Sequence, residues 1–446
     1  GEPFLGAYLG AAVPTLTQVE DGINALNVGT GGLVPPAGEP FPFGTFADDV
    51  ISQEQESVAV FGQVDFPITE NFLLTLGARY TDESKDMTAN FVQSAQGAPP
   101  NLDGIAVVLC SADPACLAAN PGLPPFDPTN PITQAIIEPF TVNGWGTYSF
   151  APLSPRPDIV TGLEDDQVTG NVKLTWFASD STMFYGSFAT GFKSGGTNTD
   201  RINPAFSELF GPETSETFEL GMKADFESIN MRLNVAVYDN QIDGLQANSW
   251  TGTGFNVQNA GQVDTRGAEI EAWWQASDTL GFQAYYVRTE GEYKDFQNGT
   301  CWDAWVFHNG MADPNEPNGD PTASICPRTG GRLAYNPENT FFAAVTKDFL
   351  IGNASTLFVR AEYQYYSEVL TDGDLDPLTK QDAINLVNAR FGWRWDDAGT
   401  EVALWGRNLT DERYYPGSFD APVQDGRMNS YPAEPRTWGV TFRMDF

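Results

Sequence analysis

Long apolar runs are missing from this sequence. No stretch of about 18 apolar residues occurs in its 446, so no transmembrane helix is expected. A β-barrel is untouched by that absence, because each of its strands needs only about 10 residues of alternating polarity. Histidine is nearly absent as well, with His308 the single one. A Ser–His–Asp or metallohydrolase centre is therefore not expected. No other catalytic constellation stands out, and the chain reads as a non-enzyme. Basic side chains are scarce, 23 Lys and Arg against 59 Asp and Glu, for a net charge of −36. No basic stripe exists to neutralise phosphates, which argues against nucleic acid as a partner. The acids are spread along the chain and aromatics make up 13%, so a disordered acidic tail is also excluded. A salty habitat and loops that meet cations are two readings of the acidity, and both stay open. No basic stretch followed by an apolar core opens the chain, so no signal peptide is read there.

Cysteine is limited to four residues, Cys110 with Cys116 and Cys301 with Cys326, each pair inside a Gly-, Pro- and Asn-rich segment. Local pairing would close two loops in an oxidising compartment. Zinc is the weaker reading, because CxxC repeats and further histidines are lacking.

What is present is a period of two. From Arg436 to Phe446, one parity reads Trp438, Val440, Phe442, Met444 and Phe446, and the other Thr437, Gly439, Thr441, Arg443 and Asp445. Alternate side chains of a strand point to opposite faces, so one face is apolar and the other small or charged. The same alternation recurs about thirteen times from residue 57 onward. Residues 57–66 and 72–85 form a first hairpin. Further strands are expected at 168–177, at 182–196 with less clean alternation, and at 218–226, 231–237, 267–275, 280–286, 340–349, 357–365, 387–395, 401–409 and 436–446. Short turns follow Phe66, Phe177, Phe226, Ala276, Phe349 and Trp395, and longer connections follow the intervening strands. Long irregular loops are expected at about 86–165 and 297–332. Residues 1–52, rich in Gly, Pro and Ala, read as a loop. A soluble sandwich seldom extends such a pattern over thirteen strands. A transmembrane antiparallel β-barrel requires it: apolar outward, polar inward, short periplasmic turns and long extracellular loops.

The blocks SVAVFGQVDFPITENFLLTLGARYTDESKD (57–86), FYGSFATGFKSGGTN (184–198), ETFELGMKADF (216–226), NAGQVDTRGAEIEAWW (259–274), WGRNLTDERYY (405–415) and PRTWGVTFRMDF (435–446) resemble the TonB-dependent receptors. The resemblance runs in order over about residues 53–446. It implies an active transporter in the outer membrane of a Gram-negative bacterium, with a barrel of 22 strands. It also implies a TonB–ExbB–ExbD partner, surrounding outer-membrane lipid and lipopolysaccharide, and the barrel-assembly machinery, for which Phe446 fits the terminal signal. No plug-like segment and no TonB box are read. The chain therefore looks like the C-terminal part of such a barrel, about thirteen strands of 22, with residues 1–52 as an extracellular loop. Strands from outside these residues are expected to complete it.

On the polar parity stand Arg79, Lys173, Glu219, Lys223, Arg232, Glu269, Glu271, Arg360, Glu362, Arg390 and Arg394. They are expected to face the lumen, either as a wall that a plug and a substrate pass or as an ion-paired, hydrated interior. Loop aromatics Trp302, Trp305 and Phe307 with His308, and Tyr414, Tyr415 and Phe419, suit sugars or catecholate rings. Loop packing and an interface girdle are the alternative reading, and the weightier one. The acidic runs 313–320 and 371–377 place Asp and Asn at calcium-like spacing but lack the full twelve-residue loop.

The expected function is TonB-dependent uptake of a scarce small-molecule ligand, an iron–siderophore complex first and a glycan or cobalamin next. A passive porin and a surface scaffold are the readings from other classes.

Overall fold

The structure, a computed structural model, describes residues 16–29, 31–32, 34–38, 43–94, 102–142, 153, 156–198, 207–250, 255–299, 326–352, 354–395, 399–421 and 428–444. Thirteen strands make one antiparallel sheet in strict chain order. They are β1 (Ala47–Thr69), β2 (Phe72–Gln93), β3 (Ile159–Ser179), β4 (Thr182–Lys193), β5 (Glu213–Phe226), β6 (Met231–Asp243) and β7 (Gln262–Ser277). The sheet continues with β8 (Leu280–Asp295), β9 (Asn339–Ile351), β10 (Ser355–Tyr366), β11 (Ile384–Trp395), β12 (Thr400–Arg407) and β13 (Thr437–Met444). Each expected strand is found. Among the described residues, β1 pairs only with β2 and β13 only with β12.

The register puts apolar residues on one face at matching heights. Tyr80 lies opposite Val60 and Val168, Leu220 opposite Val237, and Leu404 opposite Phe391 and Val440. These side chains are exposed, as at Val172, Phe218, Phe391 and Phe442. An apolar face so broad and so exposed has lipid as its solvent. Near the short turns the face ends in stacked rings, Phe72 on Trp176, Trp176 on Phe184, and Trp274 on Phe282.

Three strands rise well above this band. At about 3.3 Å per residue, the 23 residues of β1 span roughly 75 Å, while β13 has only 8. The lower halves, below Val58 and Asp82, cover the apolar band, and the upper halves stand outside it. There the polarity reverses. Asp82, Ser84 and Asp86 take the lipid-side parity of β2, while Met87, Ala89 and Phe91 on the inner parity form a buried cluster with Ile159. Alternation read as apolar-outward therefore stops at Asp86, although the strand continues to Gln93.

Two expected boundaries change as a result. The loop expected at 86–165 shrinks to 94–158 and contains three helices, α2 (Leu102–Ala112), α3 (Pro114–Ala119) and α4 (Pro131–Val142). The segment 1–52 is not wholly loop, because α1 (Leu16–Gly29) lies within it and β1 begins at Ala47. Leu26 of α1, Val34, Val108 of α2 and Ile137 of α4 share one small core. Cys110 and Cys116 are joined, S–S 2.08 Å, across the α2–α3 junction. Asp113 caps α3 by accepting from the Ala115 N–H, and Pro114 occupies its first turn. Cys326 is also disulfide-bonded, and Cys301 lies outside the described residues.

Four inner-face glycines lie directly opposite an aromatic ring on the next strand: Gly221 with Tyr185, Gly267 with Tyr238, Gly392 with Phe358 and Gly439 with Trp405. A Cβ on Gly439 would sit 2.6 Å from the Trp405 ring. The ring lies flat over the strand because no side chain stands there, which is aromatic rescue of glycine. At Gly392 the Phe358 ring is further covered by the guanidiniums of Arg390 and Arg394, at 5.7 and 5.2 Å. Gly392→Val is expected to destabilise the barrel by about 1–3 kcal/mol through overpacking. The lowered denaturant midpoint of the folded, heat-modifiable form would report this. Phe358→Ala in the same chain should restore part of the loss.

Candidate functional site

Alternation along each strand carries the expected lumen residues to one face, and the register turns several of them into a bonded wall. Tyr185 donates to Glu219 at 2.6 Å, and Asn234 donates to Glu271 at 3.0 Å. Arg232 grips both oxygens of Asp225, at 2.6 and 3.0 Å. Arg360 donates to Glu362 at 2.6 Å and, across two strands, to Thr346 and Gln283 at 3.1 Å each. Arg390 and Arg394 share Glu401. Arg79 donates to Thr81 and lies over the Phe61 ring. Lys173, Lys223 and Glu269 fall on the same parity, and Lys223 lines a smaller hollow with Asp225 and Asn234.

Arg232, Asn234, Trp273, Gln283 and Thr346 line a hollow of about 840 Å³ near the short-turn end. Beside it, Trp273 meets Tyr285 edge-on and Tyr285 meets Phe342, with ring centroids 5.4 and 5.5 Å apart. The wall thus alternates planar rings with fixed charges. Such a surface holds water, ions and polar solutes by hydrogen bonding. Sequence reading missed Asp225, Tyr185 and Glu401 as partners of residues it named. Strand parity selects all three, but which cation each would meet needs the register.

On the opposite rim the long connections are fastened by asparagines. The Asn259 side chain donates to Gly211 and Gly244 and accepts from the Gly211 N–H. Asn198 bonds Ser207 and both polar groups of Val257. Asn408, at φ 47, donates to Glu412 and Glu434 and accepts from the Glu412 N–H, while its own N–H reaches Asn388. This explains physically why an Asn opens the NLTDERYY block. Below them Val263, Tyr293, Ala260 and Phe296 form a buried core.

Of the expected loop aromatics, Tyr414 is half-buried, Tyr415 is exposed, and Phe419 contacts the Tyr431 ring across a short ladder. Tyr415 is held by its N–H, which donates to Gln381. Trp302, Trp305, Phe307 and His308 lie outside the described residues, as does Phe446. The acidic run 371–377 builds a turn. Asp372 accepts from the Asp374 N–H, Asp374 from the Asp376 N–H, and Asp376 from the Leu378 N–H. These are Asx turns in succession. Among the described residues, no group of three or more ligands is placed to hold a metal. The run 313–320 lies outside them.

Burial pushes the Asp372 carboxyl up to about 6, and neighbouring Asp376 pushes the same way. The Asp374 and Gly373 N–H groups and Arg328 pull it back. Burial, with Asp372 and Asp374 nearby, also pushes the Tyr335 phenol up to about 12. A carboxyl raised on folding stabilises the packed loop when protonated, and that contribution is lost as pH rises through about 6. Amide exchange at 371–380, corrected for its intrinsic pH dependence, is expected to be slower at pH 5 than at pH 7.5. Asp372→Asn should abolish the difference.

Comparison with known proteins places this architecture. The chain is 28% identical over 162 residues to a probable TonB-dependent siderophore receptor, PiuA, of Acinetobacter baumannii, covering 34% of this chain and 21% of that one. It is 29% identical over 283 residues to the pesticin receptor of Yersinia pestis, covering 63% and 36%. The solved ferric yersiniabactin uptake receptor FyuA of Yersinia pestis superposes at a TM-score of 0.62 and 15% identity, over 90% of this chain and 47% of that one. The chain thus spans less than half the length of these relatives, and the structural likeness speaks to the fold. The description "TonB dependent receptor-like, beta-barrel" matches residues 17–409. The chain belongs to the TonB-dependent receptor β-barrel family, outer-membrane proteins of Gram-negative bacteria.

Proposed function

We propose that this barrel serves active uptake across the outer membrane, driven through TonB–ExbB–ExbD, and that its cargo is an iron–siderophore complex. The observation that carries the reading is the division of the sheet. Its outer face is apolar over the lipid band, its inner face is a polar wall with local hydrogen-bonded clusters between aromatic rings, and the long connections between the described strands gather at one rim. A solute captured at that rim enters a lined conduit. The relatives named for siderophore and ferric yersiniabactin uptake support iron chelates over other cargo. The aromatic and charged inner wall suits a ligand with planar chelating groups. The family is one of transport receptors, and the chemistry asked of the chain is binding and passage.

The test is uptake of radiolabelled ferric siderophores by cells whose own receptors are deleted and which express the protein. Accumulation at least tenfold above the deleted strain is expected, and it should vanish when tonB is deleted or the proton gradient is collapsed. A steady open conductance of the purified protein in planar bilayers, with uptake indifferent to TonB, would assign a passive porin instead. TonB-dependent growth on an oligosaccharide or cobalamin, with no ferric uptake, would keep the mechanism and change the cargo.

A further inference from the structure

Tyr185, Tyr238, Phe358 and Trp405 each cover a glycine, but four other inner-wall rings do not. Trp273, Tyr285, Phe342 and Tyr366 are not the groups that a Cβ on any described glycine would first meet. They stand opposite polar side chains instead. Trp273 lies between Arg232 and Gln283, Tyr285 opposite Glu271, Phe342 opposite Gln364, and Tyr366 opposite Thr340. All four are half-buried, and each keeps part of its surface toward the lumen. The register sets them on a diagonal. Trp273 lies close to the short-turn end of β7, in the wall of the hollow of about 840 Å³. Tyr285 is one inner-face position above Gln283 and directly opposite Phe342. Tyr366 is one inner-face position above Gln364 and ends β10 at the other rim. Ring centroids are 5.4 Å apart from Trp273 to Tyr285 and 5.5 Å from Tyr285 to Phe342. The Tyr366 hydroxyl donates to Gln364 at 3.4 Å. Beyond it comes Tyr414, whose phenol is pushed up by burial and further by nearby Tyr366.

We infer that these rings form a track that guides a ferric chelate with aryl-oxygen ligands, catecholate or phenolate, down the wall from the rim to the hollow, and that Tyr285 and Phe342 select such chelates during passage. The track rests on the reading of the barrel as a route for ferric chelates, and it adds where the cargo runs and what chemistry the route favours. Spacing is the first argument. One inner-face position is about 7 Å along a strand, within the reach of a ring-on-ring contact. A ligand ring therefore meets the next wall ring before it leaves the last. Chemistry is the second. Offset and edge contacts favour planar rings, and aryl-oxygen chelates present such rings edged with oxygens. Beside the rings, Arg360 holds the Gln283 carbonyl oxygen and the Thr346 hydroxyl at 3.1 Å each. That leaves the Gln283 amide N–H groups and the Thr346 O–H to donate to ligand oxygens. A hydroxamate chelate has no aromatic ring and gains nothing from the stack.

The experiment uses cells deleted for their own ferric receptors that express the complete protein or its variants. It measures the initial uptake rate of radiolabelled ferric catecholate, phenolate and hydroxamate chelates, and surface binding of the same chelates in a tonB-deleted background. Wild type is expected to take up a catecholate or phenolate chelate. Tyr285→Leu/Phe342→Leu keeps apolar bulk but removes both rings. It should lower that rate at least fivefold, with surface binding changed less than twofold and any hydroxamate uptake unchanged. Tyr285→Phe and Phe342→Tyr keep the rings and should stay within twofold of wild type. Heat-modifiable migration checks folding, and Tyr285→Leu alone substitutes if the double variant fails that check. Undiminished uptake in the Leu variants, equal loss in the ring-keeping variants, or a parallel loss of surface binding or of hydroxamate uptake would each overturn the inference. Wild-type uptake confined to hydroxamates would overturn it too, while leaving the barrel a ferric-chelate route. No ferric uptake of any class by wild type would remove that reading, and the track with it.

Discussion

A backbone amide in hydrocarbon has no water to bond with, and an unpaired one costs several kcal/mol. The architecture follows from that cost. Each strand between β2 and β12 is paired on both sides with its sequence neighbours, so no backbone group within the band is left to lipid. Neighbour pairing in turn makes the short turns and long connections fall on opposite rims. The same cost bears on the two outer strands. β1 and β13 run in the same direction, being an even number of antiparallel steps apart. Closure by antiparallel pairs alone therefore takes an odd number of further strands.

Lipid also inverts the usual sorting of side chains, and this decides how legible the sequence is. Where the solvent is hydrocarbon, the apolar parity faces out and the charged parity faces in. Arg360, Arg390 and Glu219 could be assigned to the inner wall by counting alone. Above the band, water resumes and the sorting returns to that of a soluble protein. Met87 and Phe91 turn inward while Asp82 and Asp86 turn outward. A reader following one rule along β2 loses the strand at the crossing. The helices α1, α2 and α4 were hidden for a related reason. Their small core of Leu26, Val108 and Ile137 joins segments some eighty residues apart, and no local period announces it.

The inner wall shows the same division between face and partner. Period two places a residue on a face. Which residue it touches depends on the stagger between strands, set by turns such as Glu227–Asn230 and by the register shifts at Gln275/Ser277 and Phe177/Ser179. Glu401 illustrates this. Its strand was read, but its role as the shared counter-charge of Arg390 and Arg394 emerges only from the β11–β12 register. Glycines opposite rings were visible as inner-face glycines, yet their pairing with Tyr185, Phe358 and Trp405 again belongs to register.

The unequal strand lengths have a consequence for encounter. The upper parts of β1, β2 and β3 stand as a parapet on one side of the mouth, while β12 and β13 end near the top of the lipid band. The parapet is rich in carboxylates, with Asp48, Asp49, Glu54 and Glu56 along β1. A diffusing solute meets a horizon that is blocked and negatively charged on one flank and low on the other. The carboxylates there repel an anionic solute toward the low flank, where Tyr414 and Tyr415 stand, and attract a cationic one, and both effects weaken as salt shortens their reach.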